Sequence, residues 1–429
     1  LLSMMALKER LRLALLRLQP FTGTDNIYIA RGGFWTSVSF VVSTLVSAGI
    51  TLAFANFLSK EAFGTYRYAQ SLFGALSFLT FTGINTAVTQ MIAEGHLTIV
   101  SYSIRLQIKY NIAFTLATLS LALYFWINQN ATLAYSLGIA AIGFPIITTF
   151  NTYGAVLAGR KQFPTSALYG SLSTIFLGAV LIGTLASTNY VPLIMLAYCV
   201  GNALPTLYFY RKTLATLPPQ TSTSQERQSL WSYARHISLI NVFSTLSQYA
   251  DKIILFHYFG AVQLATYAIA QAIPERIRGF SKNINNIILP KVASRSIGEI
   301  QKIFYTRVLQ AFGIGLLISG LYILAAPLIF HTFLPQYIDS LRYSQVLSLS
   351  LALTMPGGYV ASVFYGKKLV KTIYLSSVSA HISRILLFWI LGKQFGVWGL
   401  IGASLSVHSI GMLYNFYLWN AEARRQSSS

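Results

Sequence analysis

Acidic residues are nearly absent from this chain. Ten Asp and Glu stand against 31 Lys and Arg in 429 residues, and charged residues of both signs make up only 10%. Soluble domains carry about 25% charged residues, so an ordinary cytosolic enzyme is excluded. The 54% apolar share likewise excludes disorder. Cysteine occurs once, as Cys199, which rules out an internal disulfide and a stapled secreted domain. The six histidines (His96, His236, His257, His331, His381 and His408) share no metal-ligand spacing, so neither a metal nor a cofactor is expected. Gly154–Lys161 approaches a phosphate-binding loop, but it has Arg160 where lysine is needed and closes an apolar run rather than following a strand. The polar gaps are too short and too poor in acids for a glycosyltransferase or ligase site, so no enzyme is expected.

What the chain has instead is apolar length. Mean hydropathy is +0.57, and a membrane-crossing helix needs about 20 apolar residues. Runs at 33–57, 64–93, 106–128, 131–158, 164–187 and 190–210 are followed by runs at 231–256, 264–290, 303–330, 341–365, 369–391 and 395–419. Each is long and lacks strand-like alternation, so the expected fold is an all-α polytopic membrane protein of about twelve helices. Segment 1–31 reads as an N-terminal piece that carries a basic amphipathic stretch at 4–18, suited to lying on an anionic leaflet. Lobes are expected at 32–210 and 231–419, with a linker at 211–230 around Pro218 and Pro219 and a tail at 420–429.

The basic residues alternate. Arg105, Lys109, Arg160, Lys161, Arg211, Lys212, Arg227 and Arg235 fall in every second gap, as do Arg295, Lys302, Arg307, Lys367, Lys368 and Lys371. The other gaps hold Lys60, Arg67, Arg342 and Lys393. Lys and Arg accumulate on cytoplasmic loops, which places both termini inside, in a plasma (inner) membrane. This pattern accounts for most of the +21 formal charge without a nucleic-acid partner.

The two halves repeat. With a shift of 201, Thr65-Tyr66-x-x-Ala69-Gln70 matches Thr266-Tyr267-x-x-Ala270-Gln271, and Asn85 matches Asn286. With a shift of 207, Val156-x-x-Gly159-Arg160-Lys161 matches Val363-x-x-Gly366-Lys367-Lys368. Six crossings separate the copies, so the repeat is parallel and a central cavity is expected between the lobes.

Residues 57–94, with Phe63-Gly64-x-Tyr66 and Gly83-Ile84, and the Gly-[Arg/Lys]-Lys turns after the fourth and tenth runs resemble the polysaccharide-biosynthesis flippases. Those proteins move lipid-linked oligosaccharides and share a superfamily with multidrug exporters and the lipid II flippase. The resemblance implies a twelve-helix carrier that takes a polyprenyl-pyrophosphate sugar from the cytoplasmic to the outer leaflet by alternating access. Other polysaccharide-assembly proteins would be its partners.

A charge at mid-membrane costs about 2.5–3.5 kcal/mol, yet the eighth run carries Glu275, Arg276, Arg278 and Lys282. Gln271, Glu275, Arg278, Lys282 and Asn286 share one helical face. Their first-half counterparts are Gln70, Gly74, Ser77, Phe81 and Asn85, so the architecture does not require the charged middle. Asp251 and Lys252 add to the seventh run and Arg384 to the eleventh. Lys252, Arg276, Arg278, Lys282 and Arg384 exceed Asp251 and Glu275 by three positive charges. An anionic diphosphate would relieve that excess. Arg278 and Lys282 are expected to grip it with help from Arg276 or Arg384, and Gln70, Asn85, Gln271 and Asn286 complete the binding face. Glu275 and Asp251 hold the bases in place or couple an ion. The alternatives are plain buried ion pairs, Glu275 with Arg278 and Asp251 with a neighbouring helix, and a cation antiporter of the same fold. Tyr249, Tyr267 and Tyr359 are candidate rings for stacking on sugar.

Overall fold

The computed structural model describes residues 26–217, 222–293 and 295–427, and among these the side chains of 26–32, 280–291, 293, 426 and 427 are not described. The amphipathic stretch expected at 4–18 lies outside the described residues. Helices α1 (Asn26–Phe57), α2 (Lys60–Leu76), α3 (Ile84–Ala93), α4 (Val100–Ile127), α5 (Ala131–Phe150), α6 (Thr152–Gly159), α7 (Phe163–Ser187) and α8 (Val191–Leu214) form the first half. The second half opens with one continuous helical run, Ser224–Ala293. At 1.5 Å per residue its 70 residues would extend about 105 Å, several times the hydrocarbon core of about 30 Å. It therefore folds back. Gly260 has φ 80° and ψ −175°, a backbone that suits glycine, and it divides α9 (224–259) from α10 (261–293). Tyr267 and Gln271 of α10 both reach back to Asp251 of α9, which fixes the hairpin. Next come α11 (Ile297–Phe333), α12 (Ser340–Ser348) and α13 (Ser350–Gly366). The run Val370–Ser427 turns at Gly396 (φ 56°) into α14 (370–395) and α15 (397–427).

Nine apolar helical runs are long enough to cross a membrane, ten with the bent pair α2–α3. Two of the ten are the glycine hairpins, which gives twelve crossings among the described residues. The second crossing was expected to be unbroken; it bends by 49° between its two parts. Phe81 there adopts φ 60° and stacks on Tyr110 with ring centroids 4.2 Å apart. The expected linker is shorter than 211–230. Thr223 and Glu226 cap α9 reciprocally, Glu226 N–H donating to Thr223 Oγ1 at 3.2 Å and Thr223 N–H to the Glu226 carboxylate at 2.7 Å, so helix begins at Ser224. At the other end α15 runs through the expected tail boundary to Ser427.

The repeat is visible in backbone detail. Lys161 after α6 and Lys368 after α13 both take the left-handed conformation, φ 59° and 54°. The same three hydrogen bonds close both turns: Arg160 N–H to Val156 and Lys367 N–H to Val363, then the pairs Lys161–Ala158 with Lys368–Tyr365 and Gln162–Leu157 with Leu369–Phe364. The chain is thus two six-crossing lobes in parallel orientation.

The lobes meet along two seams of unlike character. At one, α2 and α3 pack against the α9–α10 hairpin. Gly64 abuts the Ala261 backbone, and a Cβ on Gly83 would stand 2.6 Å from the Ala234 carbonyl oxygen. Tyr68 and Phe256 stack at 3.7 Å between them, and Asn241 donates to Thr82 at 3.2 Å. At the other seam α1 and α10 barely touch among the described residues; Phe40 approaches Gly279 at 3.8 Å from where a Cβ would stand. Across the face opposite the chain ends, the lobes are joined by Asn56 donating to the Phe333 carbonyl (3.2 Å) and by Lys60 with Asp339 (3.4 Å).

Candidate translocation cavity

A cavity of about 1040 Å³ lies between the lobes. From the first lobe it is walled by Ser47, Thr51 and Phe54 of α1, by Tyr66, Arg67 and Gln70 of α2, and by Tyr198 of α8. The second lobe contributes Gln248, Tyr249 and Lys252 of α9, Gln271, Glu275, Arg276 and Arg278 of α10, His381 and Arg384 of α14, and His408 of α15. Helix periodicity explains this convergence: Tyr66 and Gln70 are four apart, as are Gln271 and Glu275, so each pair shares a face.

Five lining side chains, Arg67, Lys252, Arg276, Arg278 and Arg384, are guanidinium or ammonium groups. Two carboxylates answer them. Asp251 is fully buried behind the wall. It accepts from the adjacent Lys252 ammonium (3.2 Å), the Tyr267 hydroxyl (3.1 Å) and the Gln271 amide (3.2 Å). Glu275 forms an ion pair with Arg278 one turn along α10. Arg67 donates to Gln70 at 3.0 Å, and its buried Nε has no partner among the described residues. Arg384 lies 5.0 Å above the Phe388 ring, with its Nε in the same condition. No carboxylate is within ion-pair distance of Arg67, Arg276 or Arg384 among the described residues. The arrangement gathers polar and basic side chains in one chamber, three of the bases having no carboxylate within ion-pair distance among the described residues.

The family description "Polysaccharide biosynthesis protein" matches residues 29–292, most of the first lobe and the α9–α10 hairpin. The chain belongs to this family. No curated protein sequence matches it. Among solved structures, this family member is similar to an inward-facing multidrug resistance MATE transporter of the MOP superfamily, with 16% identity, TM-score 0.69, and 90% of this chain and 96% of that one covered. It is similar to the lipid II flippase MurJ in an inward closed conformation, at 15% identity, TM-score 0.66, and 90% and 87% coverage. An outward-facing MATE structure matches at 14% identity and TM-score 0.57, with 93% and 96% covered. These likenesses establish a membrane transporter fold.

The residues singled out from sequence are distributed unevenly in this family member. Gln70, Lys252, Gln271, Glu275, Arg276, Arg278 and Arg384 all line the one cavity. Asp251 lies behind it; its ion pair is with its own neighbour Lys252, and the neighbouring helix α10 reaches it through the Tyr267 hydroxyl and the Gln271 amide. Asn85 is elsewhere: its side-chain oxygen accepts from Thr152, which in turn accepts from Gln107, in a polar network packing α3, α4 and α6 together. Lys282 and Asn286 lie on the helical backbone of α10, with side chains outside the described ones. Of the three candidate rings only Tyr249 lines the cavity; Tyr267 is buried against Asp251 and Tyr359 in the second-lobe core.

Arg67 corrects the sequence reading. It was placed in a loop gap, but it belongs to α2 and faces the cavity. The signal was present in the repeat, because the counterpart of Arg67 is Ala268, a charge carried by one copy only.

Proposed function

We propose that the chain is a flippase for polyprenyl-pyrophosphate-linked oligosaccharide, moving it from the cytoplasmic to the outer leaflet of the plasma (inner) membrane with both termini cytoplasmic. The supporting observation is the cavity lining: five basic side chains from both lobes against two carboxylates, each of which already holds a base. A phosphate group is bound by guanidinium through paired hydrogen bonds and by lysine as a point charge, so a diphosphate suits the three arginines that have no ion-pair partner among the described residues. In this proposal Arg67 and Arg276 approach the diphosphate from opposite lobes, Arg384 completes the set, and Arg278 and Lys252 exchange their carboxylate partners for phosphate oxygens. Gln70, Gln271 and Tyr249 meet the first sugars.

The loose α1–α10 seam supports a lipid cargo. The anionic head enters the chamber while the polyprenyl chain passes out through that seam and stays among the acyl tails. Contacts between Asn56 and Phe333 and between Lys60 and Asp339 join the lobes on the face away from the chain ends, which supports loading from the termini side. The better superposition on the inward-facing MATE relative than on the outward-facing one agrees with it.

A cation antiporter of the same fold would require unpaired carboxylates in the chamber. Both carboxylates here are engaged with bases. Proteoliposomes test the choice. Transfer of a fluorescent polyprenyl-pyrophosphate oligosaccharide between leaflets, lost in Arg278→Ala at normal expression, is the expected result. Accumulation of a radiolabelled organic cation with no oligosaccharide transfer would overturn it.

A further inference from the structure

A second cluster of bases lies away from the cavity, on the membrane face that carries the chain ends. On α4, Tyr102, Arg105 and Lys109 follow steps of three and four and share a face; on α9, Arg227, Trp231 and Arg235 follow steps of four and do the same. The two rows are joined. Arg227 lies 5.6 Å over the Tyr102 ring. Trp231 Nε1–H donates to the Tyr110 hydroxyl at 3.4 Å, and Arg235 lies 4.5 Å over the Trp231 ring. All four bases are exposed. No carboxylate is within ion-pair distance of any of them among the described residues; Glu226, the acid beside Arg227, is engaged by His96 at 2.8 Å.

Each row covers about 10–12 Å along its helix axis, more than the roughly 5–8 Å of headgroup region on each side of the hydrocarbon core, so each row can reach from headgroup into hydrocarbon. Apolar residues continue both rows toward the membrane centre: Ile112 is 55% exposed and Leu239 61%. Tryptophan and tyrosine at headgroup level, flanked by arginine and lysine, form a surface that meets phosphate above and acyl chain below. Guanidinium groups held over aromatic faces keep their edges free to hydrogen-bond phosphate oxygens.

We propose that the surface formed by these α4 and α9 rows binds an anionic diacyl phospholipid of the surrounding leaflet, which bridges the first lobe to α9 and is not transported. The assignment is independent of the cargo, because none of these residues lines the cavity.

The test uses purified full-length protein stripped of lipid in neutral detergent, then given equal amounts of phosphatidylglycerol and phosphatidylcholine and read by native mass spectrometry. Phosphatidylglycerol is expected to be retained over phosphatidylcholine. Arg235→Gln and Lys109→Gln should each lower that retention about fivefold, while Lys302→Gln, on the same face of the other lobe, leaves it unchanged. Arg105→Gln, an exposed substitution on α4, carries the test if Arg235→Gln does not fold. Millimolar inorganic phosphate is expected not to displace the lipid. Equal retention of the two lipids, wild-type retention in the folded variants, or full displacement by inorganic phosphate would overturn the proposal.

Discussion

Removing the charge of Arg67 tests the cavity where sequence reading had missed it. Arg67→Gln keeps a side chain able to bond Gln70 and drops one of the three bases without a carboxylate partner. A hydrogen bond to a charged group is worth about 1.5–3 kcal/mol, and each 1.4 kcal/mol is about tenfold in affinity. Loss of one guanidinium–phosphate contact should therefore weaken binding of a polyprenyl diphosphate by roughly 10- to 150-fold. Arg67→Lys, which keeps the charge but not the paired geometry, should fall between the two. The assay is leaflet transfer in proteoliposomes over a range of substrate densities, with diphosphate binding followed separately by thermal shift. A monophosphate analogue should lose less on substitution, since it leaves fewer oxygens for the opposite lobe to share. Wild-type transfer and wild-type diphosphate binding in Arg67→Gln would refute the assignment of Arg67 to the anion.

Glu275→Gln releases Arg278 from its ion pair; it should tighten diphosphate binding and slow release, so that single-turnover binding improves while steady-state transfer falls. Gly74→Leu would drive a side chain into the Tyr249 ring, already 2.5 Å from where a Cβ would stand. Overpacking of this kind costs about 1–3 kcal/mol, visible as a lower thermal midpoint. The cap of α9 should respond to acid. The Thr223 N–H, and secondarily His96, hold the Glu226 carboxyl below the usual range. A depressed carboxyl stabilises the cap above its unfolded value of about 4.3, and that stabilisation is lost as pH falls through the lower folded value. Hydrogen exchange at 224–230, corrected for the intrinsic pH effect, should speed up in acid below that point, and Glu226→Gln should abolish the dependence.

Much of the fold was legible because crossing a membrane imposes length and composition that local sequence cannot hide. All twelve crossings sit on the expected runs, and the Gly-[Arg/Lys]-Lys turns recur with the same backbone. Less legible were features set by contact between distant segments. Gly83 is the one local signal near the break at Phe81; what it serves is the close approach of α3 to α9, where a Cβ would stand 2.6 Å from the Ala234 carbonyl oxygen. Asn85 shared a helical stripe with Gln70, but that bend turns it toward Thr152 and away from the chamber. Arg67 was misplaced for a different reason: it stands one turn inside the start of the 64–93 run, where a base reads with the neighbouring gap rather than with a chamber wall.

The unequal seams explain why the two copies differ in charge. By the shift of 201, the contact of α2 with α9 corresponds to that of α10 with α1, and Gly74 corresponds to Glu275. Where the helices are pressed together, position 74 has room only for glycine against Tyr249. Where they stand apart, position 275 faces the chamber and carries a charge. Close packing against an aromatic ring and a polar chamber wall are opposite requirements, so equivalent positions of the two copies carry glycine in one and a carboxylate in the other. The motion expected from this asymmetry is a pivot of the lobes about the packed seam with opening at the loose one. Thr82→Cys with Asn241→Cys, residues hydrogen-bonded at 3.2 Å across the packed seam, should accept a short thiol cross-linker with transport retained. Phe40→Cys with Gly279→Cys, across the loose seam, should arrest transport when linked and recover on reduction of a cleavable linker. Cys199 is buried, and the otherwise unsubstituted protein shows whether the reagent alone has an effect. Arrest by the first pair and free transport by the second would place the moving seam on the opposite side of the cavity.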